Sequence, residues 1–137
     1  TAHLCHYAPM CTLLLFTRLW PDTPLVVAAN RDEFLDRPAS TPSVHSGGAY
    51  PVLAPTDTRA GGTWLGINSR GLFVGITNRY GAPNDPSRRS RGMLVLDALA
   101  GPNAQEAAHT IANGEATDYN GFHLVLADRQ TAWCVWN

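Results

Sequence analysis

The order of apolar and polar positions along the chain predicts strands first, then helices, then strands again. Apolar runs at residues 12–18 and 25–29 flank a dense turn signal at 20–24, which predicts a β-hairpin. Continuous apolar runs of this kind are typical of strands that are covered on both faces. Residues 34–55 are rich in Pro, Ser, Gly and Thr, so we expect an irregular surface loop there.

The middle of the chain has the clearest hairpin pattern. Residues 62–67 and 72–77 are β-forming runs joined by a short turn that ends in glycine. Apolar residues at helical spacing then predict two helices, at residues 91–100 and 104–113. Asn103 and Glu106 have the spacing of a capping box, and Gly114 suits the end of the second helix.

The last part of the chain returns to strands, at residues 121–127 and 131–136, around a turn at 128–130. Strands, then helices, then strands joined by hairpins indicate an α+β fold with antiparallel sheets, and argue against a parallel βαβ fold.

Composition narrows the class of protein. The 137 residues suit one domain or a piece of one, and 45% are hydrophobic, but no apolar stretch approaches the length of about 18 residues that a membrane span needs. We therefore expect no membrane span. All ten basic residues are arginine. The net charge of -1 gives no excess of positive charge that would indicate nucleic-acid binding. One basic cluster, at residues 88–91, can hold a phosphate or carboxylate, although a solvated loop before a helix is the simpler interpretation.

Three cysteines, Cys5, Cys11 and Cys134, are odd in number and unpatterned, which argues against a disulfide scaffold and favours a reducing compartment. We expect a cytoplasmic protein. His3 and His6 lie near two of these cysteines, but their spacing fits zinc poorly, so we expect no metal and no cofactor.

Both ends of the sequence suggest a longer parent. Residues 1–9 read as an extension upstream of a start at Met10, and the chain stops in an apolar strand. We expect residues 10–137 to be the N-terminal half of one domain.

The pair Met10-Cys11 is the first candidate for chemistry. Removal of an initiator methionine would leave Cys11 with a free α-amine whose pKa is about 8, so that one residue contains a nucleophile and its base. The alternative is that Cys11 is a small buried residue at the start of a strand.

Polar residues at 30–33 follow the second strand directly. In an antiparallel hairpin they come near Cys11, where a carboxylate can orient the amine. The alternative is a turn with surface ion pairs. Asn78 ends a later strand and can donate to a developing oxyanion, or it can bond its own backbone in a turn.

Four motifs in this order make the chain resemble the NRDE family, also called the transport and Golgi organization protein two family. They are Met10-Cys11-Thr12, Ala29-Asn30-Arg31-Asp32-Glu33-Phe34, Gly61-Gly62-Thr63-Trp64-Leu65-Gly66 and Gly75-Ile76-Thr77-Asn78-Arg79.

That family in turn is similar to cysteine N-terminal-nucleophile (Ntn) hydrolases such as penicillin V acylase and bile salt hydrolase. The resemblance implies an αββα sandwich, with Cys11 as nucleophile, Asp32 near its amine and Asn78 in the oxyanion hole. Asn30, Arg31 and Glu33 would support them, and Trp64 and Arg79 would line the pocket.

The chain departs from the acylases in two ways. Ala29 stands where they have an arginine, with Arg31 instead between Asn30 and Asp32. A second catalytic asparagine and a further arginine would lie beyond Asn137, so we expect this fragment to be inactive.

The resemblance implies two functions. One is hydrolysis of an amide or thioester of a small acyl compound. The other is non-enzymatic trafficking of haem or lipid, including acyl-CoA, with residues 34–55 and the Trp64 region as a pocket wall.

Overall fold

The computed structural model describes residues 11–79, 81, 83–114 and 116–137. It contains eight strands and two α-helices in these residues, with a short 3-10 turn at Ala116–Asp118. In chain order they are β1 (Thr12–Trp20), β2 (Thr23–Asn30), β3 (Ser43–His45), β4 (Val52–Ala54), β5 (Leu65–Asn68), β6 (Phe73–Asn78), α1 (Arg91–Leu99), α2 (Ala104–Ala112), β7 (Phe122–Ala127) and β8 (Ala132–Trp136).

The first two strands form the predicted hairpin as a two-stranded antiparallel sheet. Their register pairs Thr12 with Asn30 and Phe16 with Val26, and it shifts between Thr17 and Trp20 near the turn. The remaining six strands form a second antiparallel sheet in the order β3-β4-β5-β6-β7-β8. The predicted α+β class with antiparallel sheets is confirmed.

Residues on β6 show which layer covers each face of the larger sheet. Val74 is fully buried in the core that includes Val95 of α1. A Cβ atom placed on the next residue, Gly75, would lie 3.1 Å from the Cδ2 atom of Leu13 on β1. Successive side chains of a strand point to opposite faces, so the helices cover one face and the hairpin packs on the other. The additional helical layer of an αββα sandwich stays a prediction.

Both helices lie where the sequence predicts them, and polar side chains fix their starts. The Ser90 hydroxyl accepts a hydrogen bond from the backbone N–H of Gly92, at 3.3 Å. The Asn103 side chain accepts from the Glu106 amide at 2.9 Å, but the Glu106 carboxylate bonds the Asn103 side-chain amide. In the predicted capping box the Glu106 carboxylate would accept from the Asn103 backbone amide, whereas here it accepts from the Asn103 side-chain amide.

A buried asparagine ties the larger sheet to the end of α1. Asn68 donates from its side-chain nitrogen to the carbonyls of Leu99 and Gly101, both at 2.9 Å. Its side-chain oxygen accepts from the backbone amides of Arg70 and Leu72. All of these backbone groups would otherwise need other partners, so Asn68 stabilises the turn and the helix end together.

The start of α1 lies directly against the loop before β5. Gly62 has a φ of +74°, and a Cβ atom there would lie 2.4 Å from the backbone carbon of Gly92. The Thr63 amide donates to the Gly92 carbonyl at 3.2 Å. This close approach needs glycine at position 62, and it brings the first turn of α1 next to Trp64 and the following strand.

Three predictions about individual segments need correction. Residues 34–55 are not wholly irregular, because the short strands β3 and β4 lie within them. The strand predicted from residue 62 begins at Leu65, after the glycines. The outer face of the first hairpin is exposed at Leu14 and Phe16, so in the described part of the chain its strands are covered on one face only.

Neither of the two helices has the length and apolar character that would be needed to cross a bilayer, which holds for the described residues. Residues 1–10, which include the predicted upstream extension and Met10, lie outside those residues.

Candidate active site

The open end of the first hairpin brings Cys11 beside residues 30–32, as its antiparallel pairing predicts. The Thr12 amide donates to the side-chain oxygen of Asn30 at 3.2 Å. The Cys11 thiol donates to the backbone carbonyl of Asp32 at 3.7 Å. Cys11 is half-buried and carries a free thiol. The Asn30 side chain at the end of β2 and the Asp32 carbonyl after it thus hold the start of β1 in place.

Cys11 lines a cavity of about 390 Å³ between the hairpin, the larger sheet and the start of α1. Of the residues predicted for the site, Cys11, Arg31, Glu33, Trp64 and Asn78 line this cavity. Asn30, Asp32 and Arg79 are not among its lining residues. Asn30 and Asp32 contact Thr12 and Cys11 through the two hydrogen bonds just described.

Asn78 reaches the cavity from the end of β6, where it pairs with Phe122 of β7. Asn78 is exposed, and its side-chain amide makes no hydrogen bond to the described residues. The next residue, Arg79, was predicted to line the pocket but is not among the residues that line this cavity. Its guanidinium donates to the carbonyl of Asn137. Asn78 therefore lines the cavity with a side-chain amide that has no acceptor among the described residues.

A network of charged side chains forms the cavity wall beside Cys11. Arg37 donates to Asp57 at 2.8 Å and to Glu33 at 3.1 Å. Arg31 lies 3.5 Å from the same oxygen of Asp57, and its guanidinium is stacked 4.7 Å from the centre of the Trp64 ring. Such stacking stabilises a cation without a hydrogen bond. The four charged groups and the indole hold one another in position.

Asp57 is the buried anchor of that network. Burial alone would raise the pKa of its carboxyl, but hydrogen bonds from the Ala60 amide, the Arg37 guanidinium and the Arg59 amide outweigh burial and hold the pKa below its usual range. Asp57 is therefore ionised at neutral pH and holds the Arg37 guanidinium in place.

Sequence reasoning missed both Arg37 and Asp57. The only local signal is the turn after Asp57, whose side chain accepts from the amides of Arg59 and Ala60 at 3.0 Å. An aspartate before such a turn is recognisable in a sequence. Its pairing with Arg37, twenty residues earlier, is a tertiary contact with no local signature.

The basic cluster before α1 contributes the opposite wall. Arg88 lies 3.7 Å from Asp85 and Arg89 lies 2.7 Å from Asp97, and both arginines are substantially exposed. Arg91 is more buried and donates to the Gly121 carbonyl at 3.0 Å. The simple interpretation of a solvated loop thus holds for the first two arginines, whereas Arg91 faces the cavity interior.

No group of three or more His, Cys, Asp or Glu side chains in the described ranges is arranged to hold a metal ion. The cavity is lined by Cys11, by the amide-bearing Asn78 and by several arginines. A thiol and an amide in one cavity suit attack of the sulfur on a carbonyl carbon. The amide can then donate a hydrogen bond to the carbonyl oxygen as it becomes an oxyanion.

Comparison with known proteins matches the chain to one family. The family described as Transport and Golgi organisation 2 matches residues 10–137, so the match begins directly before Cys11. The protein named Transport and Golgi organization 2 homolog from Mus musculus is 36% identical over 111 residues, which cover 79% of this chain and 40% of that protein.

Two further relatives are named Transport and Golgi organization protein 2 homolog. The one from Homo sapiens is 37% identical over 111 residues, which cover 79% of this chain and 40% of that protein. The one from Bos taurus is 37% identical over 107 residues, which cover 76% of this chain and 38% of that protein. The matched part of the chain spans about 40% of the length of these relatives.

Proposed function

This chain belongs to the Transport and Golgi organisation 2 family, and we propose that its Cys11 acts as an N-terminal nucleophile that hydrolyses an amide or thioester of a small acyl compound. The observation that supports this proposal most is that Cys11 and Asn78, whose side-chain amide makes no hydrogen bond to the described residues, line one cavity. The two residues are 67 positions apart in sequence, and the folding of β1 against β6 brings them to the same space.

The proposed reaction begins with transfer of the thiol proton to the α-amine of Cys11. The thiolate sulfur then attacks the carbonyl carbon, and the Asn78 side chain donates to the oxyanion of the tetrahedral intermediate. The C–N or C–S bond of the substrate breaks while the ammonium returns its proton to the leaving group. Water, activated by the same amine, hydrolyses the thioester to Cys11 and releases a carboxylic acid.

Residues 30–33 have a positioning role in this proposal. Asn30 and Asp32 bond the backbone of Thr12 and the thiol of Cys11. A carboxylate at position 32 is suited to holding the α-amine of the mature terminus, with Arg31 and Glu33 fixed beside it by Asp57 and Arg37. An Ntn-hydrolase-like sandwich is the proposed architecture of the whole protein.

The proposal is tested on the mature full-length protein by covalent labelling with a slowly hydrolysed acyl thioester, followed by mass spectrometry of the tryptic peptides. We expect an acyl adduct on Cys11 that disappears in Cys11→Ser. Asn78→Ala should slow acylation about 100-fold, since that is the typical cost of losing one oxyanion donor. The matched control is Cys134→Ser, which removes the exposed free thiol and should leave acylation of Cys11 unchanged. Unchanged labelling of Cys11→Ser would remove Cys11 from the mechanism.

The alternative proposal is a non-enzymatic carrier of haem or lipid. A second cavity, of about 370 Å³, favours it, because residues 45–50 and 52 close over apolar side chains of α1. Trp64 lies in the first cavity and not in this one. Under this alternative Cys11→Ser leaves haem binding intact, as followed by haem absorbance, whereas Leu96→Asp in the second cavity weakens it.

A further inference from the structure

The wall of the first cavity has more positive than negative side chains. Five guanidinium groups line it, against three carboxylates, although the chain as a whole has a net charge of -1. The arginines are Arg31, Arg37, Arg88, Arg89 and Arg91, and the carboxylates are Glu33, Asp57 and Asp85. A concave wall with one excess sign of charge attracts ligands of the opposite sign.

Four of the five arginines have a carboxylate within 4 Å. Arg31 and Arg37 share Glu33 and Asp57, and Arg37 makes the shorter contacts with both. Arg88 lies near Asp85, and Arg89 lies near Asp97 of α1. The positive charge of the wall is therefore least compensated at Arg31 and Arg91.

Arg31 is charged, largely buried and incompletely bonded. Its Nη2 atom is shielded from solvent and makes no hydrogen bond with the described residues. The neighbouring oxygens, on Asp57 at 3.5 Å and Glu33 at 4.0 Å, are held by Arg37 at shorter distances. Buried donors are normally bonded, so an unbonded one at a cavity wall marks a place for an acceptor from the ligand.

Arg91 has no carboxylate within 4 Å in the described part of the chain, and its one bond is to the Gly121 carbonyl. Burial lowers the pKa of Arg91, and the charge of Arg37 lowers it further while Glu33 raises it. The guanidinium-bearing residues Arg37 and Arg91 line the same cavity, where like charges repel each other. An anion in that cavity would relieve the repulsion.

We propose that this cavity binds an oxyanion group of the substrate, a carboxylate or a phosphate, with the guanidinium groups of Arg31 and Arg91. Guanidinium presents a planar fork of donors that matches both groups. The inference rests on the proposed function, since the oxyanion belongs to the molecule whose carbonyl Cys11 attacks. It narrows the substrate class to acyl compounds with a negatively charged group close to the bond that is cleaved.

The test measures binding without catalysis. Protein labelled with ¹⁵N is titrated with acetate and, separately, with inorganic phosphate at constant ionic strength, and the arginine Nε–Hε resonances are followed by NMR. We expect saturable shifts of the Arg31 and Arg91 resonances. The anion that binds more tightly shows whether the site prefers a carboxylate or a phosphate. Arg91→Gln should weaken binding about tenfold or more, because it removes a charge-assisted pair. Arg70→Gln, in an exposed turn outside the cavity, is the matched control and should bind as the wild type does.

Absence of saturable shifts for both anions would overturn the inference, as would equal binding by Arg91→Gln and Arg70→Gln. Arg91→Lys, which keeps the charge and loses the fork, provides a second variant if Arg91→Gln unfolds. Cys11→Ala should bind the anion normally. Anion binding with no acylation of Cys11 would therefore contradict the proposed function alone, and acylation without anion binding would contradict this inference alone.

Discussion

Two adjacent glycines allow a matched test of how the loop before β5 meets α1. Gly61 and Gly62 have φ angles of +68° and +74°, so alanine at either position adopts a left-handed backbone. That conformation costs about 1 kcal/mol for a residue with a Cβ atom. The two positions differ in space. A Cβ atom at Gly61 meets nothing within 4 Å, whereas one at Gly62 would lie 2.4 to 2.8 Å from backbone atoms of Gly92 and Met93.

Backbone atoms of a helix start move less easily than a side-chain tip, so the second clash has to be relieved by displacing α1. Overpacking of this kind costs about 1–3 kcal/mol beyond the backbone strain. We therefore expect Gly61→Ala to lower the free energy of unfolding by about 1 kcal/mol and Gly62→Ala by about 2–4 kcal/mol.

The assay is urea unfolding at pH 7 followed by far-UV circular dichroism, with both variants compared at the same protein concentration. Since both alanines restrict the unfolded chain equally, the difference between them isolates the contact with α1. Equal free energies for the two variants, within about 0.5 kcal/mol, would refute the close packing of Gly62 against α1.

Three further perturbations probe the supports of the site. Asn68→Ala should lower the free energy of unfolding by about 3 kcal/mol in urea titrations, because it leaves the carbonyls of Leu99 and Gly101 without their donors; an effect below about 1 kcal/mol would contradict this role. The lowered pKa of Asp57 means that its carboxylate stabilises the folded state above the unfolded pKa of about 4, and that this stabilisation is lost as the pH falls through the still lower folded pKa. Asp57→Asn should therefore destabilise the protein more at pH 6 than at pH 3 in the same titrations, and equal destabilisation at both would count against the network. Cys134 is exposed, but partial desolvation by its neighbours raises the pKa of its thiol. Its alkylation by iodoacetamide, followed by mass spectrometry, should therefore increase at higher pH than that of a free cysteine, and a profile shifted to lower pH would contradict that environment.

Much of the fold is predictable from local patterns. The first hairpin follows from two apolar runs around a turn. Both helices follow from apolar spacing, and Asn103 with Glu106 marks the start of α2. The strands β3 and β4 were missed because three residues are too few to show an alternating pattern. Their pairing in the sheet is determined by the neighbouring strand β5.

The candidate site is predictable where the chain geometry is simple. Antiparallel pairing places residues 30–32 beside Cys11, and the structure has both hydrogen bonds there. Arg79 was expected in the pocket wall along with Asn78, but successive residues of an extended chain point to opposite sides. Arg37 and Asp57 meet across twenty residues of loop, a contact that no local pattern indicates.

The central claim is that Cys11 is the nucleophile and that its own α-amine is the base. The most direct measurement is the intact mass and N-terminal peptide mass of the mature full-length protein, isolated from the cells that make it. We predict a chain that begins at Cys11, with a free α-amine and with residues 1–10 absent. A retained Met10, or any residue attached before Cys11, would leave no free amine beside the thiol and would contradict the mechanism.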